Sequence, residues 1–237
     1  MRSSRVNFTA GLAVALCVCG PGAAVASPAR STVWIEVLRE DGLRFNGHRL
    51  PRHGEGMGVV TPSREIATAA HVVWGARTIT VIDAQGSRLA ATIAQIDGRV
   101  DVAVLRVDRP LEHFAAIRVK PAVPGERVDA VARVRSDAVP SISSGVIGAT
   151  RWTSHGVPVP LILSGIKGEK GMSGGGLFDA AGALVGVIIR IDRPSGYLTA
   201  LPIGELCARL SRCAARTEPE KARPASSAAR VARDRPG

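Results

Sequence analysis

One stretch decides how this sequence is interpreted: Gly171-Met172-Ser173-Gly174-Gly175-Gly176-Leu177. It places a single hydroxyl among glycines, which allow the backbone to bend sharply and other segments to approach closely. Such a bend can present the Ser173 hydroxyl while successive backbone N–H groups point at one spot, the arrangement that an oxyanion hole requires. For this motif taken alone, a glycine-rich turn with an ordinary serine remains the alternative.

A histidine follows a predicted strand upstream, in the stretch Thr68-Ala69-Ala70-His71-Val72-Val73. The end of a strand can expose the imidazole to a cleft, and the small Ala69 and Ala70 would let neighbouring segments pack closely against it. Without further context, a purely structural histidine is the alternative.

An aspartate stands at the head of an apolar predicted strand, in Asp101-Val102-Ala103-Val104-Leu105. A carboxylate at the edge of a core can hold an imidazole in one tautomer. A carboxylate in a strand-edge turn is the alternative. Asp83, Asp97 and Asp108 are weaker candidates, because the first two lie in sequences typical of plain turns.

Short predicted strands, rich in Val, Ile and Thr and bounded by turn residues, run from Thr32 to Pro202. They are Thr32–Leu38, Gly56–Thr61, Arg64–Ala69, Arg77–Ile82, Arg88–Ile96, Val102–Val107, Ala115–Val119, Arg127–Val134, Gly145–Arg151, Val159–Leu163, Leu184–Ile191 and Leu198–Leu201. No long helical pattern interrupts them, which favours an all-β barrel or sandwich over a parallel sheet with crossover helices.

The three candidate residues occur in the order His71, Asp101, Ser173, with gaps of 30 and 72 residues. This is the chain order of the catalytic triad in chymotrypsin-type enzymes. From Trp34 to Leu206 the sequence resembles the trypsin-like serine proteases, in their bacterial HtrA/DegP-like branch. Further blocks that carry the resemblance are Gly56-Met57-Gly58-Val59-Val60, Pro124-Gly125-Glu126-Arg127-Val128, Ser144-Gly145-Val146-Ile147, Leu184-Val185-Gly186-Val187 and Thr199-Ala200-Leu201-Pro202.

The resemblance implies an all-β, chymotrypsin-like fold of two six-stranded antiparallel β-barrels, spanning 27–113 and 114–202. His71 and Asp101 would lie on the first barrel and Ser173 on the second. Ser173 would attack a peptide carbonyl, His71 would transfer its proton, and Asp101 would orient the imidazole. The N–H groups of Gly171 and Ser173 would hold the oxyanion.

The predicted function is therefore that of a secreted serine endopeptidase acting on protein or peptide substrates. A catalytically silent secreted binding protein on the same scaffold is the alternative. The resemblance places substrate-binding residues at Lys167, Ile189, Arg190 and Ile191. A basic side chain of this set pointing inward would favour acidic substrates, and otherwise the two isoleucines would leave a small apolar pocket.

The sequence departs from the family pattern at the residue before the nucleophile, where Met172 replaces an Asn or Asp. Met172 cannot form an ion pair with a new amino terminus, so we expect no N-terminal zymogen switch. The loop before Ser173 would be ordered instead by packing of Met172 into an apolar pocket, by substrate or by a partner. Gly176 also replaces a common proline.

The two ends of the chain carry separate signals. Basic Arg2 and Arg5, the apolar run Phe8–Gly20 and the cleavage pattern Ala24-Val25-Ala26 predict a signal peptide over 1–26, with export to the periplasm or the extracellular space of a bacterium and no stable membrane anchor. The segment 214–237 predicts a disordered basic tail, too short for the PDZ module that HtrA-type chains usually carry.

Composition argues against other partners. Part of the net charge of +11 lies in the leader and the tail, and aromatic residues make up 3% of the chain, so no specific nucleic-acid site is expected. No Cys-His cluster has ligand spacing, and we expect no metal and no cofactor. The sequence carries no expectation of oligomeric state.

A helix is predicted over 203–213, and it contains Cys207 and Cys213. On a continuous helix these cysteines would lie about 9 Å apart, too far for a disulfide. They can be bridged only if the helix ends near Leu210.

Overall fold

Fourteen strands and two short helices make up the described part of the chain, which in this computed structural model covers residues 27–118, 120–132, 140–154 and 156–209. The elements are β1 (Thr32–Arg39), β2 (Arg44–Phe45), β3 (His48–Arg49), β4 (His53–Val60), β5 (Ile66–Thr68), α1 (Ala70–Val73), β6 (Ala76–Ile82), β7 (Arg88–Asp97), β8 (Val102–Val107), β9 (Arg127–Ala132), β10 (Ser141–Ser154), β11 (Val157–Lys167), β12 (Gly176–Asp179), β13 (Leu184–Ile191), β14 (Tyr197–Pro202) and α2 (Ile203–Arg209). The predicted signal peptide and tail lie outside the described residues.

The first barrel is closed and antiparallel, with strand order β1-β4-β5-β8-β7-β6. Its strands are rich in β-branched residues, which pack well on a pleated surface. The second barrel has the order β10-β11-β14-β13-β12-β9. The structure confirms the predicted fold of two six-stranded antiparallel barrels followed by a short C-terminal helix. The predicted domain boundary at 113/114 falls between β8 and β9 and stays a prediction.

One of the twelve predicted strands is wrong, because a different segment supplies the twelfth barrel strand. Within Ala115–Val119, the described residues 115–118 form no strand, and Ile117 makes only an isolated parallel bridge to Leu184. The twelfth barrel strand is β12 instead, directly after Ser173. The glycines suggested a loop there, but β12 is held between β9 and β13 by ladders on both sides, so tertiary pairing overrides the low strand propensity of glycine.

Three other differences concern lengths and turns. Strands β10 and β11 extend well beyond the predicted Gly145–Arg151 and Val159–Leu163. The β2–β3 hairpin was not predicted, although Asn46 and Gly47 both have positive φ (46° and 80°), as a tight Asn-Gly hairpin turn requires.

Helix α2 packs on the barrels through buried Ile203 and Leu206. Cys207 is disulfide-bonded, and Cys213 lies outside the described residues.

One apolar cluster joins the two barrels. Buried side chains of the first barrel, such as Val59 and Leu105, belong to the same cluster as Phe178 and Ile189 of the second. A smaller cluster around Ile166 and Ile188 fills the second barrel alone. The interface between the barrels is therefore a packed core, which fixes their relative position.

The close packing of β13 on β14 gives a test of this core. A methyl group at Gly186 would lie 2.6 Å from the Leu201 carbonyl oxygen, so Gly186→Ala should lower the free energy of unfolding by about 2 kcal/mol. Gly148→Ala is the matched control, because its methyl group would meet only the Leu163 carbonyl oxygen at 3.5 Å. Urea denaturation measures both, and equal stability of the two variants would contradict this packing.

Candidate active site

The turn after β5 places His71 against Asp101. His71 lies on the one-turn helix α1 rather than at the strand end itself, and Asp101 immediately precedes β8. His71 Nδ1 lies 2.9 Å from Asp101 Oδ2 and 3.1 Å from Oδ1, and the His71 backbone N–H donates to Oδ1 at 2.9 Å. Because a carboxylate only accepts, this contact favours the neutral tautomer with the proton on Nδ1, which leaves the Nε2 lone pair to take a proton.

Asp101 is held in an unusual backbone conformation. Its φ of 60° is in the left-handed region, which non-glycine residues adopt rarely and aspartate more readily than most. Val100 and Val102 on either side are fully buried, so packing fixes the strained residue in place. The Asp101 side chain is 4% exposed and that of His71 is 29% exposed, so the carboxylate is shielded while the imidazole reaches solvent.

The loop carrying Ser173 is tied down by its neighbours' amides. Met172 donates to the Glu169 carbonyl (3.3 Å), Gly174 to Ile188 (2.7 Å) and Gly175 to Met172 (3.0 Å). Within the described chain, the amides of Gly171 and Ser173 donate no hydrogen bond. The two N–H groups predicted for the oxyanion hole are thus unused by the fold.

The structure brings this loop directly against the segment that precedes His71. The Met57 amide of β4 donates to the Ser173 carbonyl at 2.8 Å. Gly174 has a φ of 85°, and a Cβ there would lie 2.0 Å from the Met57 carbonyl oxygen and 2.3 Å from Thr68 Oγ1. Only glycine permits this approach of the two barrels.

Met172 has the buried environment that was one of three expected ways to order the loop. It is 2% exposed and belongs to the apolar cluster of the second barrel, with Ile166, Ile188 and Leu198. Its sulfur accepts a hydrogen bond from the Glu169 amide at 3.3 Å. The thioether therefore anchors the loop by packing where an ion pair is absent.

The four residues predicted to bind substrate do not share one environment. The Lys167 ammonium donates to the Ser195 carbonyl at 2.8 Å and lies 4.2 Å from the centre of the Tyr197 ring. Ile189 is fully buried in the core between the barrels, and Ile191 packs against the core of the second barrel. Their roles in substrate binding stay predictions.

Arg190, the fourth of these residues, is directed at the candidate triad. Its Nη2 lies 4.0 Å from Asp101 Oδ2, and its Nη1 donates to Ser154 Oγ at 3.2 Å. Arg190 therefore adds positive charge beside the buried carboxylate.

Sequence reasoning missed a buried arginine beneath the histidine. Arg39, at the end of β1, is 3% exposed and donates to the carbonyls of Trp74 (2.9 Å), Pro51 (3.1 Å) and His71 (3.1 Å), and also to that of Val72. Burial lowers the pKa of its guanidinium. The sequence feature that could have revealed it is an arginine at the end of an apolar strand. Because its partners are distant in sequence, the sequence alone does not show what this arginine binds.

Comparison of the sequence with protein-family models identifies the family of this chain. Residues 56–187, more than half of the chain, match the family model of the trypsin-like peptidase domain. The chain belongs to the trypsin-like peptidase family. The match confirms the resemblance noted in the sequence.

Curated relatives of this chain are HtrA/DegP-like proteases. A DegP-like periplasmic serine endoprotease of Halomonas elongata is 33% identical over 157 residues, covering 64% of this chain and 33% of the relative. Protease Do-like 1, chloroplastic, of Arabidopsis thaliana is 30% identical over 177 residues, covering 70% of this chain and 40% of the relative. The chain thus spans less than half the length of either relative.

Solved structures share the fold. The Rv3671c protease of M. tuberculosis in its active form is 25% identical with a TM-score of 0.67, covering 78% of this chain and 82% of that one. The HtrA-type protease AlgW with tripeptide is 23% identical with a TM-score of 0.65, covering 77% and 59%, and shows the fold alone.

Replacement of Arg39 tests its role under His71. Arg39→Lys keeps the charge but cannot reach four carbonyls with one ammonium, so the free energy of unfolding should fall by about 2 kcal/mol. Amide hydrogen exchange should accelerate in residues 71–74 more than in β10 and β11. Arg77→Lys is the control, because Arg77 is exposed and, within the described residues, pairs only with the exposed Glu40. Identical behaviour of the two variants would contradict the role of Arg39.

Proposed function

We propose that this peptidase is an exported serine endopeptidase that hydrolyses peptide bonds of proteins or peptides through Ser173, His71 and Asp101. One observation carries the proposal: the bidentate contact of the Asp101 carboxylate with His71 Nδ1 lies beside a loop that carries Ser173. The unengaged amides of Gly171 and Ser173 support the same function, because they can donate hydrogen bonds to the negatively charged oxygen that develops from a substrate carbonyl.

The first chemical step forms an acyl-enzyme. Ser173 Oγ attacks the carbonyl carbon while His71 Nε2 takes the hydroxyl proton, and the carbonyl oxygen becomes an oxyanion held by the two amides. His71 then gives the proton to the amide nitrogen, the C–N bond breaks, and the new amino terminus leaves. Asp101 stabilises the imidazolium throughout, because it is nearly excluded from water.

The second step returns the enzyme to its starting state. A water molecule attacks the acyl carbon, its proton passes to His71 Nε2, and the tetrahedral oxyanion occupies the same two amides. Collapse of this intermediate breaks the ester bond, and His71 returns the proton to Ser173 Oγ.

Export to the periplasm or the extracellular space is the proposed location. The signal-peptide pattern of residues 1–26 supports it, as does the word periplasmic in the name of the Halomonas relative. Among the described helices, none is long and apolar enough to cross a membrane.

Substitution within the triad tests the proposal. Ser173→Ala should reduce hydrolysis of a fluorescently labelled unfolded protein by roughly 10⁶-fold, because it removes the nucleophile. Asp101→Asn should reduce it by roughly 10⁴-fold, since the imidazole would favour the wrong tautomer.

The matched control is Ser144→Ala, which should leave the rate unchanged. It removes an exposed hydroxyl on β10 that, in the described part of the chain, bonds only Asp129. Circular dichroism should be the same for all variants. Hydrolysis by Ser173→Ala at the parent rate would refute the triad.

A further inference from the structure

A cleft of about 670 Å³ opens between the first barrel and the β10–β11 hairpin of the second. Phe45 and Trp74 of the first barrel contribute its aromatic side, and residues 156–158, at the tip of the β10–β11 hairpin, contribute the opposite side. The Phe45 ring lies 6.2 Å from the His71 ring, centre to centre, and 5.1 Å from the Trp74 ring. In a peptide bound at His71, a side chain one or two residues away from the cleaved bond would therefore reach this cleft.

Two arginines give this cleft a single sign of charge. Arg44 from the β2 strand and Arg99 from the turn before β8 both line it, and no carboxylate does so within the described residues. Neither guanidinium forms an ion pair in the described part of the chain. Among the described residues, the Arg44 guanidinium donates only to the Gly47 carbonyl, at 2.8 Å, and so has donors left for a ligand.

The fold holds both arginines in place from the backbone. Arg44 is fixed by the tight β2–β3 hairpin, whose Phe45 is buried against Trp74. The Arg99 amide donates to Asp97 Oδ1 at 2.9 Å, which sets the turn that leads into Asp101. The same turn therefore positions one arginine of the cleft and the carboxylate of the triad.

We propose that this cleft is a specificity site that binds an acidic side chain of the substrate, near the bond that is cut. The inference rests on the proposed function. The aromatic wall would contact the methylene groups of a glutamate, and the two guanidinium groups would bind its carboxylate. This proposal assigns a preference for acidic substrates to Arg44 and Arg99 instead of Lys167 and Arg190, whose side chains have other partners.

The expected preference for glutamate over glutamine is modest, because both arginines are exposed to solvent. Each arginine is exposed, and an exposed ion pair changes an equilibrium by at most about fivefold. With both contacts, kcat/KM for a glutamate peptide should exceed that for its glutamine counterpart by about tenfold. High salt should reduce the ratio, because it screens exposed charges.

The experiment uses internally quenched peptides in which one glutamate is moved through four positions on each side of the cleaved bond. Each has a counterpart with glutamine at the same position. The parent protein should prefer glutamate at one or two positions, and Arg44→Gln/Arg99→Gln should bring that ratio close to one. Arg127→Gln is the control, because Arg127 is exposed on β9 and does not line the cleft.

The outcomes separate the two proposals. If no peptide is cleaved by the parent protein and an unfolded protein is not cleaved either, the proposed function fails and this inference with it. If peptides are cleaved with no preference for glutamate, only this inference is overturned. A preference that survives in the double variant, or that disappears equally in Arg127→Gln, also overturns it.

Discussion

The contact between the glycine loop of the second barrel and the first-barrel segment before His71 is the constraint on which the site depends. The Ser173 carbonyl accepts the Met57 amide, and Gly174 approaches the Met57 carbonyl and the Thr68 hydroxyl more closely than any side chain would allow. A nucleophile on one barrel and a base on the other are useful only at fixed separation, because misplacement by about 1 Å costs much of the rate. A packed apolar cluster through both barrels supplies that rigidity.

Fixed charges are arranged around the histidine on two sides. Asp101 holds the imidazole at Nδ1, and Arg39 binds the carbonyls of the turn that carries the ring. A buried guanidinium costs free energy unless its donors are used, and here they bind backbone oxygens that would otherwise lack partners. The site is thus preorganised from beneath by a residue that does not touch the reacting atoms.

The fold was largely predictable because its signals are local. Short runs rich in Val, Ile and Thr and bounded by turn residues marked eleven of the twelve barrel strands, and the blocks around His71, Asp101 and Ser173 carried the family resemblance. Strand β12 was missed because it begins at a glycine, which has a low strand propensity. Its pairing with β9 and β13 depends on the tertiary fold. Arg39 was missed because its carbonyl partners come from segments distant in sequence. The cleft arginines were missed because the cleft is formed by segments distant in sequence, and the direction of Arg190 depends on how β13 packs against the first barrel.

The central claim is that Ser173 is a nucleophile activated by His71. Its most direct test is reaction of the full chain with a fluorophosphonate, followed by mass spectrometry of the labelled peptide. A triad-activated serine reacts covalently with this reagent, whereas an idle hydroxyl does not. We expect one adduct, on Ser173, that is lost in His71→Ala while the fold is retained. Absence of the adduct, or labelling of Ser173 that proceeds equally fast without His71, would contradict the account.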